Sequence, residues 1–162
     1  MSDGKEDLEK RVGDALREKK LNISVAESCT GGLICHRITN IPGSSDYFDR
    51  GVVVYSNNSK TQLLEVPKLI LESFGAVSNE TAKAMAEGVK KVSRSDLGLA
   101  VTGIAGPGGE KPNKPVGLVY IGLASNKSTM VKEFRFTGSR SEIKDQTSEE
   151  ALKMLLGFLL GI

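Results

Sequence analysis

Apolar and polar positions recur along this chain in two periods, and the switches between them mark out its elements. Leu8, Val12, Ala15 and Leu16 fall on one face and predict a helix over residues 5–20. Residues 23–26 read as a short buried strand, and a helix begins within 31–39. A turn cluster, NIPGSSDYF, separates these from GVVVYS (51–56), the cleanest strand pattern in the chain. Ser56 or Asn57 then caps a short helix carrying Lys60, Leu63 and Leu64. Pro67 opens a second short helix, where its missing N–H costs nothing, and Gly75 closes it. Ser78 caps a third, with Ala82, Met85, Ala86 and Val89 on one face.

LGLAVTG (97–103) is another buried strand, and it runs into a long Gly/Pro loop, IAGPGGEKPNKP. Two further strand patterns, 116–124 and 129–137, flank a short polar SNKS and predict an antiparallel hairpin. The last helix opens on Ser139 and Glu142, at capping-box spacing. It places Ile143, Thr147, Ala151, Met154, Leu155 and Phe158 on one stripe. Short strand–helix connections require parallel strands joined by right-handed crossovers, while the hairpin adds antiparallel pairing. The expected fold is α/β: a three-layer α/β/α sandwich on a mixed, mostly parallel sheet of about five strands. With 162 residues and no linker or repeat, a single domain over 1–162 is expected.

Composition narrows the function classes. A net charge of +2 suits a small anionic ligand and is too weak for a nucleic-acid-binding face. Five Phe, three Tyr and no Trp are few for a base-stacking platform. Two cysteines six residues apart, Cys29 and Cys35, make neither a disulfide framework nor a metal-ligand spacing. The single histidine, His36, reads as a surface or packing residue. The polar start MSDGKEDLEK predicts no secretory leader, and the tail ALKMLLGFLLGI is too short to span a bilayer, so a cytoplasmic, membrane-free setting is expected. That tail carries Leu155, Leu156, Phe158, Leu159 and Leu160, more apolar faces than one stripe needs. Part of it is expected to be buried in a homo-oligomer, the competing expectation being a fully internal last helix.

Ligands of open α/β sheets bind beyond the carboxyl ends of the parallel strands. The first strand delivers Glu27, Ser28, Cys29 and Thr30 there; the second Tyr55, Ser56 and Asn57, with Lys60 a helical turn on; the third Thr102 and Gly103. Taken singly, each has a plain reading. Gly31 and Gly32 make a tight turn as readily as an anion cradle, Ser28 or Thr30 a helix cap, and Lys60 a solvated helix residue. Together they cohere. Serine needs a base, and in a chain with one histidine a desolvated lysine can supply it. The first amides of the following helix can then hold an oxyanion. This set points to hydrolysis of an amide or ester with neither metal nor cofactor. Cys29, beside Ser28, is the alternative nucleophile.

AESCTGG, IPGSSDYFDRGVVVYSNNSK, GAVS, VTGIAGPGG and KPVGLVYIGL occur in one order over about residues 6–160. Together they resemble the CinA C-terminal domain family, whose stand-alone members include the PncC-type nicotinamide-nucleotide amidohydrolases. The resemblance implies deamidation of nicotinamide mononucleotide to nicotinate mononucleotide and ammonia. It implies Ser28 as nucleophile, Tyr55 and Lys60 as proton relay and base, and Thr102 supporting the lysine and substrate. Oxyanion donors are expected around Thr30 and Gly31, and Asn57 at the substrate's edge. The substrate phosphate is expected among Ser44, Ser45, the 103–109 loop with Gly103 and Gly106, and Arg140. A non-catalytic nucleotide-binding or regulatory module on the same fold is the alternative. The larger amino-terminal domain that many relatives carry has no room in 162 residues.

Overall fold

The computed structural model describes residues 3–161 and pairs five strands in the order β2-β1-β3-β4-β5. Strands β1 (Ile23–Glu27), β2 (Phe48–Val53) and β3 (Leu97–Gly103) run parallel. Strands β4 (Leu118–Ala124) and β5 (Thr129–Arg135) continue the sheet antiparallel. Helices α1 (Asp3–Lys19), α2 (Leu33–Thr39) and α6 (Arg140–Leu160) cover one face. Helices α3 (Asn57–Leu64), α4 (Lys68–Phe74) and α5 (Asn79–Ser93) cover the other. The three-layer α/β/α sandwich expected from the sequence is the observed fold.

Side-chain size sorts the two faces. Toward α1, α2 and α6 the strands present bulky residues: Ile23, Val25, Leu97, Leu99, Val101, Ile121 and Leu123. Toward α5 they present Ala26, Ala100 and Ala124, and in the same alternation Gly98 and Gly122. A Cβ on Gly98 would collide with the Ala86 carbonyl of α5, and one on Gly122 would stand 2.8 Å from the Ala82 carbonyl. The small face therefore lets α5 lie against the strands at backbone distance. On the other face, the buried Arg37 of α2 binds Glu9 of α1 at 2.6 Å. It also binds Ser148 at 2.9 Å and Glu149 at 2.8 Å, both on α6. One guanidinium thus fixes three helices relative to one another.

Several boundaries differ from the sequence reading. Strand β2 begins three residues before Gly51 and ends at Val53, because its pairing with β1 runs out at Glu27↔Val53. Tyr55 and Ser56 therefore leave the sheet as a connection. Ser56 is the N-cap of α3, in a reciprocal capping box with Ser59. Helix α2 starts at Leu33, since Gly31 and Gly32 both adopt left-handed backbone. The apolar surplus of the tail is absorbed mostly within the chain: Leu155, Leu156 and Leu159 are buried and Phe158 is half-buried, leaving Leu160 exposed. Ile162 lies outside the described residues. Among the described residues no helix is long and apolar enough to cross a membrane.

The contact between α5 and the small face yields a direct prediction. Gly98→Val drives a branched side chain into the Ala86 carbonyl and should destabilise the fold by about 3 kcal/mol, at the upper end of overpacking costs. Leu69→Ala, at a position 71% exposed, should change stability by under about 0.5 kcal/mol. Urea denaturation midpoints of the two variants separate these outcomes.

Candidate active site

Beyond the last paired residue of β1, alternation sends neighbouring side chains to opposite faces of the sheet. Glu27 follows Ile23 and Val25 toward α2, and Ser28 follows Ala26 toward α3 and α5. The Ser28 amide donates to the Val101 carbonyl at 3.1 Å, which prolongs the β1–β3 ladder and fixes the residue at the sheet edge. Its hydroxyl meets Lys60, whose Nζ lies 3.2 Å from Ser28 Oγ and donates to the Val54 carbonyl at 2.9 Å. Both residues are enclosed, Ser28 at 8% exposure and Lys60 at 1%.

Lys60 reaches this place because Ser56 starts α3 at the end of the β2 connection, and the Lys60 amide closes the first turn on the Ser56 carbonyl at 3.2 Å. Its side chain then runs inward under Val54. Burial lowers its ammonium pKa from the ordinary 10.5, since water no longer stabilises the charge. As a neutral amine it can give one N–H to the Val54 carbonyl and present its lone pair to the Ser28 O–H. Cys29 has no such partner. It is buried, and desolvation pushes its thiol up to about 12, which favours the protonated form.

Glu27 organises the loop that follows. Its fully buried carboxylate accepts the Thr30 hydroxyl at 2.5 Å and the Ile34 and Cys35 amides at 3.0 Å each. It therefore caps α2 from the end of β1 and supplies the negative charge that a helix amino end favours. The Gly31 amide donates to the Ser28 carbonyl and the Leu33 amide to the Thr30 carbonyl, both at 3.2 Å. Of the amides from 30 to 35, those of Thr30 and Gly32 have no hydrogen-bond partner among the described residues. Gly31 is thus displaced as an amide donor, and the Thr30 hydroxyl serves Glu27. The sequence reading placed Glu27 at this strand end without giving it a role. An acid at a strand terminus ahead of a helix without a polar cap was the available signal.

The other candidates divide. Tyr55 is 62% exposed, and its hydroxyl accepts from Arg140 Nη2 at 2.9 Å. It does not stand between Ser28 and Lys60, so the relay expected of it is absent from this geometry. Arg140 also donates through Nη1 to the Gly106 carbonyl at 2.6 Å, bracing α6 against the 103–109 loop. Thr102 is buried and donates to the Ala76 carbonyl at 2.7 Å, pinning the α4–α5 connection rather than touching Lys60. Gly103 is closed against Leu118 and Val119 of β4. Asn57 is exposed at the start of α3 and lines a shallow cleft toward Leu71 of α4.

Ser44 and Ser45 form a short 3₁₀ turn before β2, beside the amino end of β1, where the Ile23 amide donates to Tyr47. The five residues of β1 separate them from Ser28 by about 15 Å. In this chain they face the wrong edge of the sheet to share a small ligand with Ser28. His36 is exposed, with Asn40 3.3 Å from its Nε2. One basic residue near the site escaped the sequence reading: Lys144 of α6, whose Nζ lies 3.7 Å from where a Cβ on Gly31 would stand.

Known proteins resemble this chain over nearly its whole length. The family model of the CinA C-terminal domain matches residues 5–159. A relative from Caldicellulosiruptor bescii is 57% identical over 148 residues, covering 91% of this chain and 36% of its own length. A "CinA-like protein" of Syntrophus aciditrophicus is 52% identical over 155 residues, covering 95% of this chain and 37% of its own length. The chain thus spans little more than a third of these curated relatives. The crystal structure of the competence/damage inducible protein CihA from Agrobacterium tumefaciens superposes with a TM-score of 0.91 at 43% identity, covering 94% of each chain. With that family model matching nearly the whole chain, the protein belongs to the CinA C-terminal domain family.

Proposed function

We propose that this chain is a serine amidohydrolase that deamidates nicotinamide mononucleotide to nicotinate mononucleotide and ammonia. The reading rests on the family resemblance for the substrate and on one observation for the chemistry: the enclosed Lys60 amine 3.2 Å from Ser28 Oγ. A nucleophile and base at hydrogen-bond distance, with the base depressed by burial, is the arrangement that serine activation requires.

In the proposed cycle, neutral Lys60 takes the Ser28 proton as Oγ bonds to the carboxamide carbon. The carbonyl π electrons move onto oxygen, where the open amides of Thr30 and Gly32 lie within the same loop to receive the charge. Collapse breaks the C–N bond, and the Lys60 ammonium returns its proton to the leaving nitrogen, which departs as ammonia. Water then attacks the acyl-serine, with Lys60 again taking a proton. Ser28 regains its hydroxyl hydrogen from Lys60, and the acid product leaves as its carboxylate, its remaining proton passing to solvent or to the ammonia. One water enters for each amide cleaved. The carboxylate of Glu27 takes no part in proton transfer; it holds the 30–35 loop, in which the Thr30 and Gly32 amides stay unpaired among the described residues.

Two predictions follow from these roles. Ser28→Ala should lower ammonia release from nicotinamide mononucleotide by about 10³-fold or more, and Lys60→Met by about 10²–10⁴-fold. An undiminished rate in Ser28→Ala would remove the serine mechanism. Nucleotide binding by the wild type without ammonia would make the chain a nucleotide-binding module instead.

The second concerns pH. Because only neutral Lys60 is a base, kcat/KM should rise with pH through a pKa below the ordinary 10.5. Stability should move the same way. A lysine whose folded pKa is lowered binds more protons when unfolded, so wild-type unfolding free energy should increase with pH between the lowered value and 10.5. Lys60→Met should lack that contribution, as urea denaturation at a series of pH values would show. Parallel pH profiles for the two proteins would contradict the depressed lysine.

A further inference from the structure

Arg140 and Lys144 sit one turn apart on α6 and so project from the same side of that helix. They differ in their engagement. The guanidinium of Arg140 is held by the Gly106 carbonyl and the Tyr55 hydroxyl, which makes it a brace between α6, the β2–α3 connection and the 103–109 loop. Lys144 is half-buried and, among the described residues, has neither a hydrogen bond nor an ion pair. Its ammonium stands over Gly31, whose left-handed backbone (φ +62) and missing side chain leave the space beneath it open. The nearest acids on α6 are turned elsewhere. Glu142 reaches back to the Ser139 amide, and Asp145 lines the groove shared with α1 and α2. Glu27, the acid of the loop itself, is satisfied by Thr30, Ile34 and Cys35.

A partly desolvated cation without a counter-charge, beside the turn that carries Ser28, is a place for an anion. The hydrogen bond from the Gly31 amide to the Ser28 carbonyl makes residues 28–31 a tight turn, which keeps their α-carbons within about 7 Å. The turn that carries Ser28 therefore also carries the glycine beneath the Lys144 ammonium. We propose that Lys144 binds the phosphate of the substrate and makes the site selective for a phosphorylated nucleotide over its uncharged nucleoside. This rests on the amidohydrolase reading for the ligand at Ser28. It replaces Ser44 and Ser45, which lie at the other edge of the sheet, and assigns Arg140 to bracing the rim.

The test is calorimetric, so it reads binding independently of turnover. Nicotinamide mononucleotide and nicotinamide riboside are titrated into the Ser28→Ala protein, then into the same protein carrying Lys144→Met or Lys144→Arg. Losing one charge-assisted phosphate contact should weaken nucleotide binding by about 10- to 100-fold. It should also narrow the preference for nucleotide over riboside by the same factor, and Lys144→Arg should restore most of both. A Lys144→Met protein that keeps the full preference overturns the proposal. So does a parent protein that binds nucleotide and riboside equally. Absence of ammonia release by the wild type would remove the amidohydrolase reading while leaving a Lys144-dependent preference standing, so the two failures are distinguishable.

Discussion

A lysine amine held where one hydroxyl and one carbonyl are its hydrogen-bond partners is the constraint on which the rest of the site depends. Water would normally keep this group protonated. Enclosure at 1% exposure removes that stabilisation and shifts the balance toward the neutral base. The same enclosure acts differently on two adjacent side chains. Ser28 shares the pocket with the amine, while Cys29, one residue on, is buried with its thiol pushed up to about 12. Burial therefore favours the neutral amine beside Ser28 and the protonated thiol of Cys29, while alternation along the strand turns successive side chains to opposite faces.

Positioning that amine takes most of the fold. Small residues on one face of the sheet admit α5 at backbone distance, and α3 packs beside it with Leu64 and Lys60 inward. Bulky residues on the other face meet α2 and α6, which Arg37 locks to α1. Glu27, at the junction, joins β1 to the amino end of α2 and so fixes the loop carrying Thr30 and Gly32. Arg140 then ties α6 to Tyr55 and the Gly106 loop, completing a rim from three separate elements.

Ser28 and Lys60 were legible because each belongs to a strong local pattern: an apolar strand ending in hydroxyls, and a capped helix following the next strand. Thr102 and Tyr55 were correctly found at neighbouring strand ends, yet their hydroxyls turn to Ala76 and Arg140. Spacing locates a backbone, whereas a hydroxyl's partner depends on which loop happens to close over it. The apolar run 51–56 suggested a strand reaching Tyr55, but β1 is only five residues long and offers no partner beyond Glu27. Ser44 and Ser45 were misplaced for a topological reason: a turn preceding a parallel strand lies at its amino end, opposite the ligand edge. Lys144 left no trace in the pattern, since a lysine on an amphipathic helix reads as solvated until a glycine loop from elsewhere is seen beneath it.

The central claim is that Lys60 is held as a depressed base against Ser28. The most direct measurement is an NMR pH titration of the protein with ¹³C-labelled lysine side chains, assigning the Lys60 resonance by its loss in Lys60→Met. The account predicts one lysine that loses its proton below the ordinary 10.5, separated from the exposed lysines. A Lys60 resonance that titrates together with the exposed lysines, near 10.5, would contradict it.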